Sequence, residues 1–165
     1  MASGVVGADE LRRTCAAWPT GVAVVTSARP DGTPVGLAVN SFTSLSLDPP
    51  LVVLFCAARS STTWPHIRTA GRFLVQMLAA DQHAVAKVFA RSGGDKFGGL
   101  AWHRRNGLPQ LDGIAAVLEC STDGVYAGGD HEIAVGRVEA VETFDRRPLV
   151  FHEGDLHALP LARAS

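Results

Sequence analysis

Between Val22 and Phe42 two apolar stretches, VAVVTSA and PVGLAVNSF, flank the link RPDGT, whose Pro, Asp and Gly are turn formers. The spacing predicts a β-hairpin. A hairpin this apolar needs cover on at least one face, so the rest of the chain must supply more sheet or helix to pack against it. PLVVLFCAA, apolar on both faces, and GRFLVQML read as further strands, and RSSTTWPHIRTAG between them reads as a short helix closed by Gly71. A first helix is expected over ADELRRTCAAW, with Asp9 as cap and Leu11, Cys15 and Trp18 at helical spacing. Another is expected over DQHAVAKVFAR, with Asp81 as N-cap and Val85, Val88 and Phe89 on one stripe.

From Ser92 to Gly113 periodicity is lost in a glycine-rich stretch with Trp102 and several cations, which predicts a long loop, functional or mobile. IAAVLECSTDGVYAGGDHEIAVGRVEAVET then supplies two or three strands turned at AGGD, and PLVFHEG supplies a last one. The sum is a mainly β chain of six or seven strands, mostly antiparallel sequential neighbours, with two to three short flanking helices. A closed or nearly closed barrel suits this pattern better than an open doubly wound sheet. One domain is expected over residues 1–165, with its core at about 9–160.

Hydrophobic residues make up 47% of the chain, charged residues 19%, and the net charge is −1, a balance that argues against coating a nucleic-acid backbone. No apolar run reaches the roughly 18–20 residues of a membrane helix, and MASGVVGADELRR lacks the basic-then-apolar order of a signal peptide, so the cytoplasm is the expected location. Cys15, Cys56 and Cys120 are far apart among apolar neighbours and are expected to be buried thiols. His103, His131, His152 and His157 show no HxH or HxxxH spacing, so no metal is expected, and no GxSxG elbow is present.

Three polar groups carry the chemistry. In RSSTTWP, Arg59 and the hydroxyls of Ser60, Ser61, Thr62 and Thr63 precede a helix start, which suits a phosphate or, more simply, helix capping. VNSFTSLSLDPP sets an amide and hydroxyls at a strand end, either a wall for a planar heterocycle or a solvated strand terminus. Lys87, Arg91 and Lys96 surround a helix and its glycine-rich exit; they are either solvated or poised for a second phosphate or a ribose. His131 opens a strand as either a capping or a site residue. Asp9, Glu10, Asp130 and Glu132 read as capping and surface groups.

WPTGVAVVTS, GLAVNSFTSLSLDPPLVVLF, RSSTTWPHIRTAGRFLVQML, HAVAKVFARSGGDKF, GLPQLDGIAAVLEC and GGDHEIAVGRVEAV with PLVFHEG, running in order from about Thr14 to Leu159, resemble the flavin reductase-like, FMN-binding split-barrel family. Within that family the chain looks like the small reductase component of a two-component flavin-dependent monooxygenase. The resemblance implies a homodimeric split β-barrel that uses NADH or NADPH to reduce FAD or FMN and passes reduced flavin to a partner oxygenase. It implies that Val39, Asn40, Ser41, Thr43, Ser44, Leu45 and Ser46 line the isoalloxazine and ribityl chain. Cys56, Ala57, Ser60, Ser61, Thr62 and Thr63 would hold ribityl and phosphate. Phe89, Ala90, Arg91 and Lys96 would serve the phosphate or adenylate side, and His131 with the FHEGDLH segment, including His152 and Asp155, would face the nicotinamide. Many relatives carry Asn where this chain has Gln76, so position 76 is given no flavin role.

Hydride transfer between two cofactors needs no strong acid or nucleophile from the protein, which fits the missing triad. Two other readings remain at this stage: a split-barrel protein that holds flavin without turnover, as a carrier or sensor, and an oxidase of the pyridoxine-phosphate type. Neither the flavin nor the nicotinamide is distinguished by sequence.

Overall fold

The computed structural model describes residues 6–159, with the side chains of residues 51–54 outside the description. The hairpin forms as expected: strands β2 (Ala23–Ala28) and β3 (Pro34–Val39) pair antiparallel from Ala23 opposite Val39 to Ala28 opposite Pro34. Its turn is held by the Thr33 N–H on Asp31 Oδ1 at 2.8 Å and the Arg29 N–H on Thr33 O at 2.9 Å. Gly32 takes the left-handed φ of 84° that closes it.

Around this hairpin lie β4 (Thr43–Ser44), β5 (Leu51–Ala58), β6 (Arg72–Met77), β9 (Ala116–Gly128) and β10 (His131–Thr143). With β2 and β3 they form a seven-stranded antiparallel sheet in the order β3-β2-β6-β9-β10-β5-β4. Alternation sorts each strand into two faces. Val25, Val35, Phe55, Phe73, Val75, Cys120 and Ala134 point to one core, which therefore joins strands from both ends of the sheet: the sheet curls on itself into a barrel. Helix α2 (Trp64–Ala70) adds Trp64 and Ile67 to that core, with Phe55 edge-on to Trp64 at 5.4 Å and to Phe73 at 5.6 Å. As expected, Gly71 ends α2 with φ 68°.

The opposite faces, through Val24, Leu74 and Val117, meet Phe89 of helix α3 (His83–Ala90), together with Phe97, Leu111 and Leu149. A separate three-stranded sheet, β1 (Thr20–Gly21), β11 (Leu149–His152) and β12 (Asp155–Ala158), supplies the split. It is fastened to the barrel by the Leu149 N–H on Leu78 O and the Ala80 N–H on Arg147 O, both 2.8 Å.

Most strand pairs are sequential neighbours, as expected, with β2–β6 and β10–β5 among the longer-range exceptions. Several other expectations are corrected. The stretch from Ser92 to Gly113 is not all irregular: β7 (Trp102–Arg105) and β8 (Leu108–Leu111) form a hairpin turned at Asn106 and Gly107, with φ 49° and 86°. Helix α1 (Ala8–Ala16) is capped by Gly7, and Asp9 lies inside it paired with Arg12. Its stripe is exposed: Leu11, Cys15 and Trp18, the last 76% accessible, find no partner among the described residues, so Cys15 is not a buried thiol. Cys56 is half-buried. Only Cys120 is deeply buried, and burial pushes its thiol up to about 12. Asp81 does not cap α3; Gln82 holds that place and Asp81 pairs with Arg146. The expectation that β5 is apolar on both faces falls partly on residues 51–54, outside the described side chains, as does the start of MASGVVGADELRR.

Gln76 has a structural task. Fully buried, it donates from Nε2 to Thr26 Oγ1 (2.8 Å) and Pro109 O (3.2 Å), and accepts the Leu111 N–H at 2.6 Å. Thr26 in turn donates to Pro109 O at 2.6 Å, so one amide clamps the β7–β8 hairpin onto the barrel wall. Gln76→Leu strands the Leu111 N–H and is expected to cost about 2–3 kcal/mol in urea unfolding. A loss under about 0.5 kcal/mol would show that the clamp is not needed.

Candidate functional site

Where β3 and β5 end, the sheet stops pairing and a cleft of about 700 Å³ opens between them, α3 and the β11–β12 turn. One wall is the exit of β3, Val39, Asn40 and Ser41, set against Cys56, Ala57 and Ala58 at the end of β5. The Ser41 hydroxyl accepts the Cys56 N–H at 2.8 Å and holds the two edges together where no ladder does. The chain then re-enters the sheet as β4, with Thr43 opposite Leu54 and Ser44 opposite Val52.

Next along the wall come Ser60, Ser61, Thr62 and Thr63. Ser61 Oγ accepts the N–H of Trp64 (3.1 Å) and of Thr63 (3.3 Å), so capping occupies one hydroxyl and leaves the others to the cleft. The helix that follows has only seven residues, so a fixed cation matters more than its dipole for any anion here. Lys96 is that cation. It is 8% exposed, and its Nζ donates to Gly36 O (3.1 Å) and Phe89 O (3.3 Å), with no ion pair among the described residues. Burial lowers its pKa from the ordinary 10.5. Two neutral carbonyls only partly offset the desolvation of an ammonium.

Phe89, Ala90 and Arg91 line the α3 side, joined by His83, Ala86 and Lys87, which recur along one face of that helix. His131 and Asp155 stand at the rim. The His131 ring is held through Nδ1 by Asp130 at 2.7 Å, a contact that also holds the Asp130 carboxyl below its usual range. Glu132 accepts from the Trp64 indole at 2.6 Å and from Arg68, which likewise lowers its pKa, so it ties β10 to α2.

The cleft thus gathers Val39, Asn40, Ser41, Cys56, Ala57, Ser60 to Thr63, Phe89, Ala90, Arg91, Lys96, His131 and Asp155. Thr43, Ser44, Leu45 and Ser46 lie outside its walls: the first two are engaged in β4, and Leu45 is exposed. His152 is also outside, its ring 6.3 Å from that of His157. Arg59 does not reach the cleft wall, although its N–H anchors the loop to Asp130 O at 3.0 Å. Sequence reasoning missed Val22, Leu37, Ala38, Ala58, His83, Ala86 and Ser92, whereas Phe151, Gly154 and Leu156 lie in the FHEGDLH segment already named. For His83 and Ala86 a signal existed, the i, i+3, i+7 spacing with Ala90. Among the described residues no group of three or more His, Cys, Asp or Glu could hold a metal ion.

A cleft walled by backbone edges, hydroxyls and one buried ammonium, on a split antiparallel barrel, defines a binder of phosphorylated cofactors. The chain belongs to the flavin reductase like domain family, which matches residues 15–160. A flavin reductase of Pseudomonas putida is 43% identical over 146 residues, covering 87% of this chain and 85% of the relative. The reductase subunit HsaB of a flavin-dependent monooxygenase from Rhodococcus jostii is 39% identical over 156 residues, covering 93% of this chain and 79% of the relative. Among solved structures, the Streptomyces globisporus C-1027 NADH:FAD oxidoreductase SgcE6, in complex with NAD and FAD fragments, superposes with a TM-score of 0.89 at 33% identity. It covers 98% of this chain and 100% of that one.

The buried ammonium has a testable signature. Because the folded-state pKa of Lys96 lies below its unfolded value, the unfolded chain binds more protons between the two, and stability rises with pH there. In denaturant titrations across the alkaline range below 10.5, the wild type is expected to gain stability relative to Lys96→Met as pH rises. Parallel profiles for the two proteins would mean that Lys96 is not desolvated.

Proposed function

We propose that the chain is an NAD(P)H:flavin oxidoreductase that takes hydride from NADH or NADPH, reduces FAD or FMN, and supplies reduced flavin to a partner flavin-dependent monooxygenase. The observation that carries this is Lys96, a buried cation with no ion pair among the described residues, beside hydroxyls at one end of a cleft whose other end offers strand-edge backbone. That donor set fits a flavin: a phosphate at the ammonium, and a planar ring at the strand edges.

In this reading Val39, Asn40 and Ser41 with Cys56 and Ala57 hold the ring edge and ribityl chain. Ser60, Thr62, Thr63 and Lys96 take the phosphate, with Ser61 ordering their loop through its two hydrogen bonds. Phe89, Ala90 and Arg91 close the phosphate side, and His131, steadied by Asp130, faces the nicotinamide with Asp155. Thr43, Ser44, Leu45, Ser46 and His152 lie outside the walls of the single-chain cleft and take no part in this reading. Bound flavin and nicotinamide supply the hydride chemistry themselves. The chain's part is to align them, neutralise the phosphate and keep water from the ring.

Homodimerisation belongs to the same proposal: Trp18, Leu45 and Leu47, the last 89% accessible, are large apolar side chains left on the surface. No described helix is long and apolar enough to cross a membrane. A cytoplasmic location suits free thiols at Cys15, Cys56 and Cys120 and a supply of NADH.

The purified protein is expected to oxidise NADH or NADPH only when free FAD or FMN is added. Flavin binding with no oxidation in any of the four cofactor pairs would instead favour a carrier or sensor. In the active protein, His131→Ala is expected to raise the KM for the nicotinamide by about tenfold while the flavin KM changes by less than about twofold. Unchanged nicotinamide kinetics would remove His131 from the site.

A further inference from the structure

Three consecutive residues, Asp130 to Glu132, hold the hydroxyl-bearing loop from both ends. The Asp130 carbonyl accepts the Arg59 N–H at 3.0 Å, where the chain leaves β5. The Glu132 carboxylate accepts the indole N–H of Trp64 at 2.6 Å, where the chain enters α2. The four residues between these anchors, Ser60 to Thr63, are the hydroxyl wall of the cleft. Side chains alternate along a strand, so His131 turns to the cleft while Glu132 turns to the other face. Glu132 is outside the cleft walls and reaches the loop through Trp64 alone. That side chain is 3% exposed and packs edge-on to Phe55 at 5.4 Å, and the Trp64 backbone N–H donates to Ser61 Oγ at 3.1 Å. The indole is thus wedged in the barrel core with one polar atom, and a buried N–H left unpaired is costly, so the carboxylate selects where ring and loop sit. Arg68, 2.9 and 3.1 Å from the two Glu132 oxygens, offsets the negative charge of this anchor.

We propose that Glu132 is a positioning residue for the flavin phosphate: through Trp64 it fixes the loop of residues 60–63 where the hydroxyls and Lys96 meet one phosphate. The inference rests on the reading of the cleft as a flavin site, and it adds a residue that touches no cofactor. Without the carboxylate the indole N–H loses its partner, the loop keeps only its Arg59 anchor, and its hydroxyls are no longer held in one arrangement before the ligand arrives. The free energy of ordering them is then taken from binding. Glu132 and His131 are neighbours on one strand and serve different ligands, because they project from opposite faces.

The test is equilibrium titration of the purified protein with FMN, followed by flavin fluorescence, for Glu132→Ala, Glu132→Gln, Trp64→Phe and the double variant of Glu132→Ala with Trp64→Phe, each checked for cooperative thermal unfolding. Glu132→Ala is expected to raise the FMN dissociation constant about tenfold. Glu132→Gln keeps an amide oxygen that accepts the indole N–H and is expected to stay within about threefold of the wild type. Trp64→Phe keeps a ring against Phe55 and removes the donor; it weakens FMN binding, and adding Glu132→Ala to it changes the constant by less than about twofold. In turnover, Glu132→Ala raises the flavin KM and leaves the nicotinamide KM within about twofold, the reverse of His131→Ala. FMN binding unmoved by Glu132→Ala in a folded protein, Glu132→Gln as weak as Glu132→Ala, or additive losses in the double variant would overturn the assignment. Should Glu132→Ala not fold, unchanged FMN binding in Trp64→Phe overturns it equally. The expected FMN pattern without nicotinamide oxidation would sink the reductase reading alone, and turnover with FMN constants indifferent to Glu132 would sink the positioning role alone.

Discussion

The antiparallel ribbon of β9 and β10, thirteen residues each, is the constraint on which the rest of the molecule depends. Its register shifts between Val135 and Gly136 and again between Val138 and Ala140, and such bulges increase the local twist and bend the strand. The bend allows β10 to carry β5 along one edge while β9 carries β6 along the other, so that β3 and β5 approach from opposite ends of the strand order. One ladder also fixes a site residue: His131 lies opposite Ala58 on β5, which sets it beside the wall formed by Cys56, Ala57 and Ala58. A slip of one residue would turn its ring to the other face.

The chemistry sits outside the apolar barrel interior. Inside, Phe55 lies edge-on to both Phe73 and Trp64 in a mainly apolar core. Outside, strand ends expose backbone and hydroxyls, and the segment after α3 folds back to bury Lys96 against Gly36. Gly36 must be glycine for this: a Cβ there would lie 2.6 Å from the Phe89 ring. The arrangement keeps a cation away from water with no ion pair among the described residues, which costs stability in the free protein and, in the proposed reading, would be offset by a bound phosphate.

Local signals made much of this legible. RPDGT announced the β2–β3 hairpin, Gly71 the end of α2, and the hydroxyl run the cleft wall, because each depends on the conformational preference of a few adjacent residues. The β7–β8 hairpin had its signal too, Asn106-Gly107, but His103, Arg104, Arg105 and Pro109 hid the strand pattern around it. Pairings between distant residues were not legible: Thr20 with Phe151, or the clamp from Gln76 to the Leu111 N–H, depend on where the barrel brings the segments. The stripe on α1 looked like a core face and is exposed, since a helical pattern states which side is apolar and not whether anything covers it. Lys96 was flagged beside Lys87 and Arg91 at the exit of α3 and again by the resemblance, but its burial with no ion pair among the described residues is visible only in three dimensions.

The most direct measurement is a crystal structure of the protein with FMN bound. The phosphate is expected within about 2.7–3.2 Å of Lys96 Nζ, beside the hydroxyls of Thr62 or Thr63. A phosphate seated elsewhere, with Lys96 still donating only to Gly36 and Phe89, would contradict the account.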